Sequence, residues 1–141
     1  MKPSLIGNIA PDLKLPTADE KFVRISDTEA DYTILYFWDV DCGHCAQEIP
    51  ELNKFYKENK SKKFEIIAIY TQLDKQKWMD FIDKEQFEWI NCWDPDQVSN
   101  MKSLYYINST PVIYLLDKDK RILLKRITLE VLKQYLKPRI N

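Results

Sequence analysis

The chain has 141 residues, of which 45% are hydrophobic, and its 21 basic side chains nearly balance its 22 acidic ones. This length and composition indicate one folded domain, and the balanced charge gives no indication of nucleic-acid binding. Two glycines are too few for a phosphate-binding loop or a dinucleotide-binding fingerprint, so no cofactor is expected.

Periodicity and composition predict strands and helices that alternate along the chain. A small hairpin is predicted first, from Asp12–Leu15 and Phe22–Ile25. The later predicted elements are a strand at Tyr32–Trp38, a helix at 43–59, a strand at Lys63–Tyr70, a helix at Asp74–Lys84, a strand at Trp89–Trp93, a short helix at about 97–105, a hairpin of Pro111–Asp117 with Arg121–Lys125, and a helix at Thr128–Leu136. This order predicts an α/β domain with a mixed central sheet flanked by helices.

The chain shows no sign of membrane insertion in its sequence. No stretch approaches the ~20 consecutive apolar residues that cross a bilayer. The first residues contain no apolar run of the signal-peptide type. Both a cytoplasmic protein and the mature region of an exported protein are compatible with this N-terminus.

The charged run Lys57–Lys63 is interpreted as a solvated helix end and turn.

Cys42 and Cys45 form a CxxC pair where the predicted strand Tyr32–Trp38 runs into the next helix. A helix N-terminus stabilises a cysteine thiolate through its free N–H groups and its dipole. The three-residue spacing places both sulfurs on one face, within reach of a disulfide. We predict that Cys42 is exposed and attacks a disulfide first, and that Cys45, on the apolar face, resolves the mixed disulfide.

A CxxC pair can also contribute to a metal site or serve only a structural role. Structural zinc needs four ligands, usually as two close pairs, and Cys92 is the only other cysteine. Redox chemistry is therefore favoured over metal binding and over two unreactive cysteines at a helix start, and no metal is expected. Cys92 lies in a predicted strand, where a buried, inert thiol is favoured over an intermolecular disulfide.

Three neighbours of the pair carry charge or can acquire it. A cationic His44 would favour the Cys42 thiolate and make the disulfide more oxidising, or His44 is simply an exposed loop histidine. Asp41 would disfavour the same thiolate, although the simpler role of helix N-cap is favoured. Glu48, one turn beyond Cys45, either relays a proton during exchange or is a surface charge. The pattern alone does not choose between these two roles.

With these residues in place, the chain resembles the thioredoxin superfamily and, within it, the TlpA-like thiol–disulfide oxidoreductases of bacterial envelopes. The segments that carry the resemblance are Ile6–Leu13, Phe37–Trp38, Cys42–Cys45 with Pro50 at the family's spacing, and Asn108–Asp117. The resemblance implies a thioredoxin-like three-layer fold over a single domain, 1–141, with an N-terminal hairpin extension at 1–30 and a core at 31–141.

The resemblance also implies roles for individual residues. Pro111 corresponds to the superfamily's cis-proline, and Thr110 with Pro111 would hold a partner strand by β-augmentation. Glu48 falls on the position of an acidic residue beneath the active site, which favours its role as a proton relay.

Further residues around the pair are expected to tune it, and some depart from the family pattern. Trp38 would pack beside the cysteines, and Gly43 lies between them. Asp41 replaces the usual tryptophan and His44 the usual proline, and Tyr36 replaces a buried aspartate of thioredoxin itself.

We therefore expect a monomeric thiol–disulfide oxidoreductase that exchanges disulfides with partner proteins and is served by an upstream redox partner. The resemblance implies an envelope location, with the cytoplasm as the alternative. The alternative function is a thioredoxin-fold binding module without turnover. A peroxidase is not expected, because Leu35 and Asp39 occupy the proline and threonine positions of the peroxiredoxin pattern.

Overall fold

A five-stranded mixed sheet organises the chain in the computed structural model, which describes residues 2–59 and 63–140. The strands are β1 (Lys14–Pro16), β2 (Phe22–Arg24), β3 (Tyr32–Trp38), β4 (Phe64–Tyr70), β5 (Ile90–Trp93), β6 (Val112–Leu116) and β7 (Ile122–Lys125). The helices are α1 (Gly43–Asn59), α2 (Lys75–Glu85), α3 (Met101–Leu104) and α4 (Leu129–Ile140). The predicted fold class and the N-terminal hairpin, formed by β1 and β2, are confirmed.

The central strand β3 is buried on both faces, as its continuous apolar run predicts. Within the sheet order β5-β4-β3-β6-β7, it pairs with β4 in parallel and with β6 antiparallel. Tyr36 and Trp38 belong to the core layer that includes α1, α2 and α4, whereas Leu35 and Phe37 belong to the layer that includes the hairpin and α3. The sheet therefore separates two apolar layers.

Strand register determines which loops meet at the end of β3. Trp38 is opposite Tyr70 of β4, and Phe37 is opposite Val112, the first residue of β6. The chain leaving β3 and the chain entering β6 consequently lie side by side at this edge of the sheet.

Helix α1 follows β3 directly and buries the face that its spacing predicts. The helix continues through Pro50 to Asn59, and its buried residues include Cys45, Ile49 and Leu52. Residues 60–62 of the predicted charged turn lie outside the described residues.

The predicted helix at about 97–105 is largely wrong, because α3 has only four residues. The buried carboxylate of Asp94 accepts hydrogen bonds from the backbone N–H groups of Val98 and Ser99, both at 3.1 Å. Asn100 then has a left-handed backbone with φ of 60°. Such side chain–backbone bonds compete with helix formation, so the segment becomes a turn followed by a single helical turn.

Helix α4 is longer than the predicted Thr128–Leu136 and includes Pro138. The N–H of Val131 donates to Thr128 Oγ1 at 3.2 Å, which confirms the predicted threonine cap. The apolar spacing continues to Ile140, which is buried, so packing carries the helix past the proline.

Candidate redox site

The two cysteines lie at the junction of β3 and α1 and are joined as a disulfide. Cys42 immediately precedes α1 and Cys45 lies in its first turn, with their Cα atoms 5.2 Å apart. The structure therefore brings together the pair that the spacing predicts. Cys42 is half-buried and Cys45 is fully buried, so a partner can reach Cys42 more readily.

The sulfur of Cys42 sits among polar backbone groups. The backbone N–H of Cys45 donates to Cys42 Sγ at 3.1 Å, and the carbonyl oxygen of Thr110 lies 3.2 Å from the same sulfur. In the reduced protein the thiol S–H can donate to this carbonyl, whereas the thiolate can accept from the N–H at the helix start. The helix N-terminus thereby stabilises a negative sulfur at Cys42.

Thr110 and Pro111 form the wall of the site opposite α1. The Thr110–Pro111 peptide bond is cis, and both residues are half-buried. Their proximity to Cys42 follows from the pairing of Phe37 with Val112. The structure thus places these two residues beside the sulfur that is predicted to react.

Asp41 is not the N-cap of α1, and that preferred interpretation is wrong. The helix begins at Gly43, so Cys42 occupies the capping position and its sulfur accepts the Cys45 N–H. Asp41 is exposed, and its Oδ2 lies 3.2 Å from Lys77 Nζ on α2. Asp41 is therefore a charge beside Cys42 that is partly compensated by a lysine.

His44, Gly43 and Trp38 surround the pair in different ways. His44 and Gly43 are exposed, and a Cβ added to Gly43 would meet no atom within 4 Å. Trp38 is fully buried, and its ring lies 5.6 Å from that of Tyr70 and 5.3 Å from that of Phe81. The tryptophan belongs to the same core layer as Cys45 and anchors the end of β3 in an aromatic cluster.

Glu48 is half-buried on α1, one turn after Cys45. Burial raises the pKa of this carboxyl above its ordinary value of 4.5, and the charge of Glu51 acts in the same direction. The Tyr36 hydroxyl and the charge of His44 lower the pKa in part. The carboxyl therefore holds a proton more readily than an exposed glutamate, as a proton relay requires.

Of two further residues near the site, the sequence indicated Tyr36 but not Lys77. Lys77 is 36 residues from Asp41, and periodicity places it only on an exposed helix face. Tyr36 did give a signal, because it departs from the family pattern six residues before Cys42, and it is fully buried on the α1 side of the sheet.

Cys92 is a free, fully buried cysteine. Burial raises the pKa of its thiol well above the ordinary value, which supports the interpretation as an inert thiol. The described ranges 2–59 and 63–140 contain no group of three or more histidine, cysteine or acidic side chains arranged to hold a metal. Across the same ranges, no helix combines the length and apolarity that membrane crossing demands.

Comparison with known proteins agrees with this geometry. The sequence model of the AhpC/TSA family matches residues 6–125. The thiol-disulfide oxidoreductase ResA of Oceanobacillus iheyensis is 29% identical over 138 residues, which cover 93% of this chain and 71% of the relative.

Solved structures give the same result. A domain of a possible thiol-disulfide isomerase from Cytophaga hutchinsonii is 36% identical, with a TM-score of 0.89 and coverage of 96% of this chain and 93% of the other. A thiol:disulfide interchange protein from Bacteroides sp. is 25% identical, with a TM-score of 0.84 and coverage of 97% and 91%, respectively.

Proposed function

This chain belongs to the AhpC/TSA family and is a thiol–disulfide oxidoreductase with a thioredoxin-like fold, and we propose that it exchanges disulfides with partner proteins through Cys42 and Cys45. The observation that carries the proposal is the asymmetry of the pair. Cys42 is only half-buried and its sulfur accepts a hydrogen bond from the helix N-terminus, whereas Cys45 is fully buried.

In the reducing direction, the Cys42 thiolate attacks one sulfur of a partner disulfide. The partner's S–S bond breaks, and the second partner sulfur leaves as a thiolate that takes a proton from solvent. The proton of the Cys45 thiol passes to the Glu48 carboxylate, and Cys45 Sγ then attacks Cys42 Sγ. This step releases the first partner sulfur as a thiolate, so that the partner is reduced by two electrons and the chain is oxidised. The oxidising direction reverses these steps, and an upstream redox partner restores the starting state.

Thr110 and Pro111 would hold the partner segment. The Thr110 carbonyl lies 3.2 Å from Cys42 Sγ, which supports this role because a partner segment bound to the sulfur would pass close to this backbone. A partner strand pairing with this segment would be bound mainly through main-chain groups, and so without strong dependence on its sequence.

Asp41, Gly43, His44 and Trp38 complete the proposed site as tuning residues rather than as reacting groups. We also propose that the chain acts as a single domain and in the bacterial envelope, as the resemblance to TlpA-like proteins implies. Fractionation of cells that produce the natural protein would check this location.

The test compares the wild type with Cys42→Ser, Cys45→Ala and Cys92→Ala in the reduction of insulin disulfides. We expect Cys42→Ser to lower the rate to that of the uncatalysed reaction. Cys45→Ala should accumulate a mixed disulfide that a reductant releases. Cys92→Ala is the matched control, because it removes a thiol outside the site and should keep the wild-type rate.

The outcome also separates the alternative function. A binding module without turnover would bind its partner equally well after Cys42→Ser and would form no covalent complex after Cys45→Ala. A wild-type protein that does not accelerate the reduction at all would contradict the proposal.

A further inference from the structure

Two buried polar atoms in the layer between β3 and α1, one on each element, have no hydrogen-bond partner among the described residues. Tyr36 is fully buried, and Glu48 is half-buried on the helix that packs against it. Within the described ranges, neither the Tyr36 hydroxyl nor Glu48 Oε1 has a hydrogen-bond partner of normal geometry. Buried polar atoms without a partner are rare in folded proteins because each one destabilises the folded state.

Each of these two groups nevertheless affects the other. Burial raises the pKa of the Tyr36 hydroxyl, and the Glu48 carboxyl raises it further, whereas Tyr36 lowers the pKa of Glu48 against the larger effect of burial. Because Tyr36 keeps its proton at every physiological pH, its hydroxyl can serve as a donor to an ionised Glu48. A hydrogen bond to a charged acceptor is about twice as strong as one to a neutral acceptor.

The charged groups around Glu48 are less suited than Tyr36 to donate a hydrogen bond to its carboxylate. On α1 itself, His44 and Glu51 act on the carboxyl with opposite signs. From α4, the half-buried Lys133 is paired with Glu51 at 3.6 Å, and the buried residues of that helix are all apolar. From β3, Tyr36 supplies the hydroxyl. Among these groups, Tyr36 is the one that is fully buried.

We propose that Tyr36 is a positioning residue for Glu48: its hydroxyl donates a hydrogen bond, directly or through one water molecule, to the carboxylate that accepts the proton of Cys45. This inference rests on the proposed function. When the Cys45 S–H bond breaks, its proton moves to a Glu48 oxygen, and the electron pair left on the sulfur attacks Cys42 Sγ. The bond between Cys42 and the partner sulfur then breaks, and the partner sulfur leaves as a thiolate. Tyr36 keeps its own proton throughout. Its hydrogen bond weakens as Glu48 becomes neutral, so the carboxyl can release the proton and return to its starting state.

The test measures the reaction of the reduced protein with the chromogenic disulfide 5,5′-dithiobis(2-nitrobenzoate) by stopped flow at a series of pH values. The first thionitrobenzoate is released when Cys42 attacks the reagent, and the second when Cys45 attacks the resulting mixed disulfide. The second, unimolecular phase reports the step that needs Glu48, and the first phase is an internal control.

In Tyr36→Phe we expect the pH midpoint of the second phase to move about one unit higher, with a rate about tenfold lower below the midpoint. The ring keeps its volume, so the fold is preserved. The matched control is Tyr114→Phe, which removes a buried hydroxyl that donates to the Tyr105 carbonyl at 2.8 Å in the other core layer. This control should leave the midpoint unchanged.

The double variant Tyr36→Phe/Glu48→Gln makes the test specific. If Tyr36 acts through Glu48, adding Tyr36→Phe to Glu48→Gln changes nothing in the second phase. An unchanged midpoint in Tyr36→Phe, or an equal slowing in the Glu48→Gln background, overturns the inference. If Glu48→Gln keeps the wild-type pH dependence, Glu48 is not the proton acceptor and the inference also fails. Loss of the second phase in the wild type would instead contradict the proposed redox function.

Discussion

Replacing Glu48 by glutamine should stabilise the oxidised protein at alkaline pH but not at acid pH. The folded-state pKa of Glu48 lies above its ordinary value of 4.5, mainly because of burial. Well below pH 4.5 the carboxyl is protonated in both the folded and the unfolded chain, so its ionisation has no effect on stability. As the pH rises through the folded-state pKa, the unfolded chain loses its proton more readily, and the wild type loses stability that Glu48→Gln retains.

The size of the effect follows from the exposure of the side chain. One unit of pKa shift corresponds to about 1.4 kcal/mol. Glu48 is only half-buried, and solvent screens part of the interaction. Between pH 4 and pH 8 we therefore expect the free energy of unfolding of Glu48→Gln to rise by about 1 kcal/mol or less relative to that of the wild type. Urea unfolding of both oxidised proteins at pH 4 and at pH 8 measures this effect. The difference in free energy of unfolding between variant and wild type at pH 8 is compared with the same difference at pH 4.

Glu51→Gln is the matched control because it removes the same charge one turn further along α1. The Glu51 side chain is 70% exposed and pairs with Lys133, so the variant should change stability by no more than about 0.5 kcal/mol at either pH. If the stabilities of Glu48→Gln and the wild type ran parallel from pH 4 to pH 8, burial would not govern the ionisation of Glu48, and the argument for a proton relay would lose its basis.

Two further predictions concern the charge beside the pair and the core beneath it. Lys77→Met should leave the Asp41 carboxylate uncompensated, destabilise the Cys42 thiolate and lower the reduction potential by at most about 20 mV. A glutathione titration should show this shift at low salt and a smaller one at high salt, and a rise in potential would refute it. Leu132→Ala should cost about 2–5 kcal/mol in urea unfolding because Leu132 is fully buried. Val131→Ala, at a position 42% exposed on the same helix, should cost far less, and equal costs would contradict the assigned burial.

Elements fixed by burial on both sides were predictable from the sequence. Strand β3 was predicted at its observed bounds because its apolar run is enclosed by Asp31 and Asp39 and both of its faces need apolar side chains. The face of α1 was predictable for a similar reason. Its apolar spacing includes Cys45, so the burial of the second cysteine followed from the pattern.

Interactions between distant side chains and local bonds to the backbone were not predictable in this way. The helix expected at about 97–105 has only four residues because the Asp94 carboxylate accepts hydrogen bonds from backbone N–H groups that a helix would use. Helical periodicity contains no information about such competing bonds. The pairing of Asp41 with Lys77 joins two exposed residues on separate elements. No apolar pattern specifies such a contact.

This ion pair changes the expected balance of charges around Cys42. From the sequence, Asp41 opposes His44, and neither effect prevails. In the structure, Lys77 Nζ lies 3.2 Å from Asp41 Oδ2 and offsets part of its charge, whereas the N–H of Cys45 donates directly to Cys42 Sγ. Asp41 therefore opposes the thiolate less strongly than the sequence alone suggests, whereas the N–H of Cys45 favours it directly. Because a stabilised thiolate stabilises the reduced form, the structure favours a potential on the oxidising side of the one that Asp41 alone would give.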